Sequence, residues 1–122
     1  MIAIGLVALG GAIGSILRYS VALMIPAWHG FPFQTLLVNI LGSFSLGLIT
    51  YAISNKTRWR LFLGTGICGG FTTYSTFVLD IDRLLATGKI SIAFLYMAAS
   101  LLLGTIAALV GSSIGSRIGE AR

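Results

Sequence analysis

The chain has 122 residues, of which 57% are hydrophobic and only 9% are charged, and its mean hydropathy is +0.99. A soluble domain of this length needs far more charged residues to cover its surface. The composition therefore excludes a soluble domain and indicates a membrane protein. The formal net charge of +5 comes without a basic patch large enough to bind nucleic acid. With one cysteine and one histidine, Cys68 and His29, the chain offers neither an internal disulfide nor the ligand set of a transition-metal site.

Four apolar segments have the length of about 20 residues that a membrane-spanning helix requires. The first is not interpreted as a signal peptide, because it lacks a basic N-terminal region and contains Arg18. Pro26, Pro32 and the residues between them separate the first segment from the second. We predict an all-α membrane protein with a single transmembrane domain over residues 1–122 and four helices, at about 2–24, 33–54, 60–80 and 90–116.

The first helix carries Gly10 and Gly14, with Gly11 and Ser15 beside them, so that small residues recur at every fourth position. The fourth helix repeats the pattern over a longer stretch, at Ala107, Gly111, Gly115 and Gly119. Small residues at this spacing let helix backbones approach closely in lipid. Both faces are therefore predicted to pack against other helices.

The second helix carries a polar version of such a face, with Thr35, Asn39, Ser43 and Gly47 four residues apart. Serine and threonine hydroxyls can bond to the backbone of their own helix, which accounts for any one of them. A primary amide near the centre of a span has no such local solution. Asn39 is therefore predicted to have partners on another helix or in a water-filled cavity.

The third helix contains GTGICGGFTTYSTF at residues 64–77, a stretch with four glycines and five Ser or Thr residues. Each glycine weakens a helix by up to about 1 kcal/mol, whereas an unpaired backbone group in hydrocarbon costs several kcal/mol. A break at this depth needs other groups to satisfy the freed backbone, and in transporters the freed carbonyls coordinate a cation. We predict such a break here. The alternative from the residues alone is an intact helix with a glycine packing face.

The basic residues give only a weak preference for one orientation in the membrane. The side of the N-terminus has five, at positions 56, 58, 60, 117 and 122, and the other side has three, at positions 18, 83 and 89. A weak bias is typical of a chain that inserts in both orientations, although a single topology with a poor signal explains it equally well. Because four helices enclose little space, a pore is predicted to need a second copy, which an antiparallel arrangement would relate by a two-fold axis in the membrane plane.

Three stretches together resemble the Fluc, or CrcB, family of fluoride channels: GGAIGSILRY (10–19), TLLVNILGSF (35–44) and GGFTTYSTF (69–77). They occur in the family's order and spacing, and the length and four-span layout agree over the whole chain. Members of this family are antiparallel, dual-topology homodimers with two fluoride pores and a structural sodium ion at the dimer centre. The resemblance therefore implies a fluoride-selective channel, not an enzyme, that exports fluoride passively across the inner membrane of a bacterium or archaeon.

The resemblance also assigns roles to individual residues. The third helix would break at Gly69–Thr72, where the main-chain carbonyls of Gly69 and Thr72 would bind the sodium ion, which is not transported. Arg18 matches the arginine that ends the family's first helix. The fluoride pathway implied by the resemblance consists of Thr35, Asn39, Tyr74, Ser75, Thr76, Phe77, Tyr96 and Ser100.

This sequence departs from the family pattern in three places. Tyr74 stands where the family has the first of two phenylalanines whose ring edges face the fluoride path, and Phe77 matches the second. Asp80 stands where the family usually has a glutamate. The polar track that the family carries on its fourth helix stops after Ser100.

These residue types suit fluoride independently of the family. Fluoride is small and strongly hydrated, so a pore must replace water with many weak donors. Asn39 offers two N–H donors, each Ser or Thr offers one, and the edge of the Phe77 ring carries positive partial charge. No basic residue falls in the interior of the second, third or fourth helix. Such a charge would hold the anion too tightly for conduction.

The main alternative is a proton-coupled efflux transporter of the small multidrug-resistance type, because those proteins are also short, four-span, dual-topology dimers. Their exchange needs a titratable acid inside the membrane. The acids of this chain, Asp80, Asp82 and Glu120, are all predicted to lie at span ends. A non-conducting assembly subunit would explain the faces of small residues but not Asn39 or a broken helix.

Overall fold

The computed structural model describes residues 1–26 and 29–121, and within them every regular element is a helix. The predicted all-α fold is confirmed. The first half of the third span, residues 57–71, is an uninterrupted run of three helical elements, and its second half is the helix Tyr74–Ala86. The elements in chain order are α1 (Ile2–Met24), α2 (Phe33–Ala52), α3 (Thr57–Trp59), the π-helix π1 (Arg60–Cys68), α4 (Gly69–Phe71), α5 (Tyr74–Ala86) and α6 (Ile90–Glu120).

Three helices, α1, α2 and α6, are long and apolar enough to cross a membrane. The third predicted span is not among them because it is divided into pieces, of which the longest, α5, has 13 residues. These pieces nevertheless follow one another from Thr57 to Ala86 with only two residues outside a helix. The predicted four spans therefore correspond to α1, α2, the two halves of the third span, and α6.

The helix bounds differ from the prediction at two spans whose predicted ends lie beside charged residues. α5 continues past Asp80 to Ala86, and α6 continues to Glu120. A charged side chain within a helix can be satisfied by hydrogen bonds from neighbouring helices, or it can reach towards water near the helix end, so a charge does not mark where a helix stops. The chain turns from α5 into α6 at Gly88, whose φ of +73° favours glycine.

The third span breaks at Thr72 and Thr73, which both have extended backbone conformations, with φ −72° and ψ 152° for Thr72 and φ −146° and ψ 118° for Thr73. The prediction started the break at Gly69, which is wrong because Gly69 and Gly70 are still helical. Gly70 serves close packing instead, since an added Cβ would collide with the backbone of Gly11 in α1. The β-branched threonines take up the extended conformation, for which their side chains are suited.

Glycines bring the helix backbones into direct contact, as the spacing of the small residues predicts. In α1, a Cβ added to Gly14 would meet the carbonyl of Ile67 and would lie 2.8 Å from Phe71 N, while one added to Gly10 would lie 2.9 Å from Gly66 Cα. The first half of the third span is thus fitted against α1. The α2–α6 pair is built in the same way, with three glycines of α6 that each face a carbonyl oxygen of α2: Gly111 (Phe44), Gly115 (Leu48) and Gly119 (Tyr51).

A small apolar core lies between α2, α5 and α6. Its buried members are Leu36, Leu84, Ala93 and Tyr96, of which Tyr96 is completely buried. Phe77 packs against this cluster from α5. The core therefore supports the second half of the third span beyond the break.

We expect Gly14→Ala to destabilise the protein by about 1–3 kcal/mol, because the added methyl group collides with backbone atoms of the third span. Gly5→Ala, in the same helix, is the matched control, because nothing lies within 4 Å of its added Cβ and alanine is the better helix former. Thermal unfolding of both purified variants in detergent compares them. Equal unfolding midpoints would contradict the close contact at Gly14.

Candidate functional site

The side-chain amide of Asn39 in α2 pairs with the backbone of Thr73 at the break. Thr73 N donates to Asn39 Oδ1 at 2.8 Å, and Asn39 Nδ2 donates to Thr73 O at 3.1 Å. The amide thus takes the place of a peptide group and satisfies both polar groups of an extended residue. Of the two alternatives predicted for Asn39, another helix or a water-filled cavity, the structure shows a partner on another span, and this partner is the main chain of Thr73 at the break.

Thr73 is also the N-cap of α5, although it is not among the predicted site side chains. Its hydroxyl accepts a hydrogen bond from Thr76 N at 3.1 Å and lies 3.0 Å from Thr76 Oγ1 and 3.3 Å from Ser75 Oγ. Threonine is a favoured N-cap residue, because its oxygen satisfies an N–H of the first helical turn. A threonine is a sequence signal for the start of a helix, but Thr73 can be recognised as an N-cap only once the break is known to precede α5.

Two aromatic rings lie beside Phe77. Its ring centroid is 6.1 Å from that of Tyr74, one turn earlier in α5, and 5.2 Å from that of Tyr96 in α6. The interplanar angles are 36° and 45°, so each pair is tilted rather than stacked face to face. Tyr74 is 79% exposed, whereas Tyr96 is completely buried. The aromatic row thus runs from the surface of the single chain into its core.

A cavity of about 390 Å³ lies beside the break, and we call it the central cavity. Ser100 Oγ is buried there and has no hydrogen-bond partner among the described residues. Four of the eight predicted pathway side chains meet in this cavity, and they contribute an amide, two rings and this hydroxyl. The polar and aromatic side chains that line it are Asn39, Ser43, Thr72, Thr73, Tyr74, Phe77 and Ser100.

Thr73 also lines a second cavity, of about 310 Å³, which we call the polar cavity. Its walls include two arginines, Arg18 and Arg83. Gln34 Oε1 is buried without a hydrogen-bond partner in the described part of the chain. Fixed positive charges thus line the polar cavity, while the described residues around the central cavity are uncharged. The other polar side chains of the polar cavity are Ser15, Tyr19, Gln34, Thr35, Thr76 and Asp80.

Asp80 is buried inside the bundle, and its predicted place at the end of a span is wrong. It is 8% exposed, and its Oδ2 accepts hydrogen bonds from Thr35 Oγ1 at 2.7 Å and from Tyr96 OH at 3.3 Å. The reason is that α5 continues for six residues beyond it, to Ala86, so that Asp80 lies within the helix. Two hydroxyls that the resemblance assigns to the pathway therefore face a carboxylate.

The remaining predicted residues lie outside the central cavity. Thr35 and Thr76 line the polar cavity, together with Arg18. Tyr96 is completely buried and Ser75 is exposed. Six of the eight predicted pathway residues are therefore divided between two cavities that both border Thr73, and Ser75 and Tyr96 line neither.

The two carbonyls predicted to bind sodium lose their helical partners at the break. In a continuous helix, Gly69 O would accept a hydrogen bond from Thr73 N, and Thr72 O would accept one from Thr76 N. Thr73 N donates to Asn39 instead, and Thr76 N donates to Thr73 Oγ1. Gly69 also faces open space, since nothing lies within 4 Å of the position of a Cβ. Both oxygens are thus left without the donors that a helix supplies.

The chain is similar to a known family and to proteins of several organisms. The family model described as "CrcB-like protein, Camphor Resistance (CrcB)" matches residues 5–112. A protein of Deinococcus radiodurans is 43% identical over 118 residues, which cover 91% of this chain and 93% of that protein. A protein of Chlorobium chlorochromatii is 48% identical over 113 residues, with coverage of 87% and 86%, and one of Pyrococcus abyssi is 36% identical over 116 residues, with coverage of 92% and 94%.

All three relatives carry the name "Fluoride-specific ion channel FluC". The identities extend over almost the whole of both partners in each comparison, so they are not confined to one motif. The family model likewise covers all of α2 and the third span and most of α1 and α6. On these grounds the chain belongs to the CrcB family.

Proposed function

We propose that this multi-pass membrane protein is a fluoride-selective channel, and not an enzyme, through which fluoride leaves the cell passively across the inner membrane. Its relatives in three organisms are named as fluoride-specific ion channels. The observation that carries the proposal is the central cavity. There the amide of Asn39 and the ring of Phe77 meet the hydroxyl of Ser100, which has no hydrogen-bond partner among the described residues, and no charged side chain of residues 1–26 and 29–121 lines this cavity.

This set of groups suits a small, strongly hydrated anion. Asn39 Nδ2 carries two hydrogen atoms, of which one is used on Thr73 O and the other is free to contact an anion. The ring edge of Phe77 and the hydroxyl of Ser100 add weak positive contacts. Because no full charge is involved, the anion is held loosely enough to leave, as conduction requires. The positive charges of the two arginines that line the polar cavity attract anions towards that cavity.

A second, antiparallel copy would complete the pathway, so we propose a dual-topology homodimer with two pores. Tyr74 is 79% exposed in the single chain and Ser75 is also exposed, although both lie next to the break. Polar groups at mid-membrane are costly against lipid, so this face needs a protein partner. Within the chain, α5 packs mainly against α6 and only slightly against α2, which leaves one of its faces for the second copy.

A structural sodium ion at the dimer axis fits the carbonyls at the break. Main-chain oxygens are hard donors that suit an alkali ion rather than a transition metal. The described residues contain no group of three or more His, Cys, Asp or Glu that could hold a metal ion. Gly69 O and Thr72 O from each of two copies would give four ligands. When bound, the ion would offset the cost of burying these carbonyls, and it would not itself be carried.

The proton-coupled exporter gains one argument from the structure, because the burial of Asp80 places an acid inside the bundle. Two hydroxyls already bind this carboxylate, however, and the chain belongs to a family whose relatives are named as channels. Proton-coupled exchange therefore becomes an outcome of the test below rather than a second proposal.

Ion flux from proteoliposomes tests the proposed function. Purified protein is reconstituted into vesicles loaded with fluoride or with chloride, and ion-selective electrodes record the release of each. We expect rapid release of fluoride without a proton gradient and retention of chloride. Fluoride release that depends on a proton gradient would favour the exporter, and the absence of fluoride release would reject the channel.

We expect Asn39→Asp to reduce fluoride flux by about 100-fold, because the variant loses the donor to Thr73 O and adds a charge that repels the anion, at a combined cost of about 3 kcal/mol. The control is Asn55→Asp, which adds the same charge at an exposed position between α2 and α3. Flux and dimer content are measured on both variants. Wild-type flux through Asn39→Asp would remove this residue from the pathway.

We expect Phe77→Ile to slow fluoride flux by about tenfold or more, because isoleucine fills similar space without the positive ring edge. Phe94→Ile is the matched control, since Phe94 lies on α6 and is 63% exposed. Both variants are compared by flux and by thermal unfolding. A folded Phe77→Ile protein that conducts like wild type would disprove a role for the aromatic edge.

We expect fluoride flux to require sodium. Replacing sodium by N-methyl-D-glucamine on both sides of the vesicle membrane should stop conduction or dissociate the dimer, because the carbonyls at the break lose their partner. Returning sodium should restore flux, and labelled sodium should not cross with the anion. Undiminished flux after exhaustive removal of sodium would contradict a structural ion at Gly69 and Thr72.

A further inference from the structure

We propose that Asp80 is a positioning residue for the anion pathway. Its carboxylate binds the hydroxyls of Thr35 and Tyr96 and thereby fixes the Tyr96 ring against Phe77. This inference rests on the proposed fluoride channel and deepens it. The family resemblance implies that Thr35 and Tyr96 contact the anion directly. We infer instead that both residues act indirectly, through Asp80.

The three residues form a buried joint between three spans. Thr35 lies in α2, Asp80 in α5 and Tyr96 in α6, and they are 3%, 8% and 0% exposed. Thr35 and Asp80 are 45 positions apart in the chain, and Asp80 and Tyr96 are 16 apart. The joint therefore ties the second half of the third span to both of its neighbours.

The hydroxyl protons decide between a direct and an indirect role. A hydroxyl group has one proton to donate. Thr35 Oγ1 donates it to Asp80 Oδ2 at 2.7 Å, which is the usual length of a hydrogen bond to a charged oxygen, and Tyr96 OH donates to the same atom at 3.3 Å. Each hydroxyl then presents only lone pairs to its other neighbours. Lone pairs repel an anion, so neither group serves as a donor to fluoride while Asp80 holds it.

Two kinds of contact fix the position of the Tyr96 ring beside Phe77: a hydrogen bond of its hydroxyl and packing of its ring against other rings. The Tyr96 hydroxyl binds Asp80, while its ring centroid lies 5.2 Å from that of Phe77 and 5.7 Å from that of Phe31, the latter edge to face. Phe77 and Asp80 are three residues apart in one helix, so their side chains lie on the same side of α5. Releasing the hydroxyl removes one of the two constraints on the ring that supports Phe77.

The surrounding charge makes a carboxylate tolerable beside an anion pathway. A buried negative charge is unfavourable unless hydrogen bonds and opposite charges offset it. Asp80 borders the polar cavity with Arg18 and Arg83, and it borders a further cavity of about 250 Å³ with Arg83 and Lys89. Basic groups thus outnumber the carboxylate in both cavities. The carboxylate does not line the central cavity, where weak donors are proposed to contact fluoride.

Asp80→Ala and its conservative counterpart Asp80→Asn test the proposal by fluoride flux and by the selectivity for fluoride over chloride. We expect Asp80→Ala to lower both by about tenfold, because it frees Tyr96 and Thr35 together. Asp80→Asn should recover most of the loss, since its amide oxygen still accepts. A role confined to stability would not change selectivity in the folded protein. Asp82→Ala, at an exposed position of the same helix, should behave as wild type.

Tyr96→Phe and Thr35→Val separate the indirect from the direct role. Each keeps the bulk of the side chain and removes one hydrogen bond to Asp80, so we expect fluoride flux within about threefold of wild type. The double variant Asp80→Ala/Tyr96→Phe should be no worse than Asp80→Ala, because both changes break the same contact. Tyr51→Phe, at a half-exposed tyrosine of α2, is the control for loss of a phenol hydroxyl.

Wild-type flux and selectivity in Asp80→Ala would overturn the proposal, and so would a tenfold loss of flux in Tyr96→Phe or Thr35→Val, which would indicate direct donors. If Asp80→Ala does not fold, the Tyr96 and Thr35 variants decide by the same threshold. If the wild-type protein carries no fluoride, the proposed channel fails, and the double-variant cycle is measured by thermal unfolding instead. Additive effects in that cycle would overturn the joint itself.

Discussion

The pair of hydrogen bonds between the Asn39 amide and the Thr73 backbone is the constraint on which the rest of the structure depends. An extended residue at mid-membrane exposes an N–H and a C=O that lipid cannot satisfy. One side chain from α2 satisfies both, with bonds of 2.8 and 3.1 Å. The break can therefore exist at this depth without water. Its position is set as much by α2 as by the local sequence of the third span.

Several features follow from that single pairing. Since Thr73 N is committed to Asn39, the carbonyl of Gly69 loses its helical donor, and since Thr73 Oγ1 caps α5, the carbonyl of Thr72 loses its own. Thr73, whose backbone Asn39 binds, also lines both the central cavity and the polar cavity with its arginines. The residue at the break thus borders two cavities of different charge.

The sequence predicted those parts of the fold that depend on local pattern. Hydropathy located the spans, and four-residue spacing located the glycine faces, because both are properties of a helix taken alone. It also predicted that Asn39 needs a distant partner, because the cost of an unpaired amide in hydrocarbon does not depend on the fold. The exact break was missed, because a glycine such as Gly70 is equally suited to flexibility and to close packing. Only the neighbouring backbone of Gly11 decides between them.

The candidate site was less predictable for a related reason. The charge of Asp80 predicts a helix end, whereas its burial depends on hydroxyls from two other helices that the local sequence does not reveal. The resemblance named candidate pathway residues but not that six of them line two different cavities. That division depends on the rotation of α5 about its axis, which is fixed by the N-cap at Thr73 and by the packing of Phe77 on α6. Neither contact produces a repeating pattern of residues in the sequence, so neither could be predicted from it.

The glycine-to-carbonyl contacts between α2 and α6 have a consequence for biosynthesis. Of the described helices, α2 and α6 pack against each other most extensively, although the whole third span lies between them in sequence. A ribosome releases the chain from its N-terminus, so α2 enters the membrane well before its principal partner has been made. Until α6 has been made, the α2 backbone around Phe44 and Leu48 lacks the Gly111 and Gly115 contacts that it has in the folded chain. Assembly of the bundle is thus completed by the last helix. A chain that ends before α6 would leave α2 without the glycine face against which it packs.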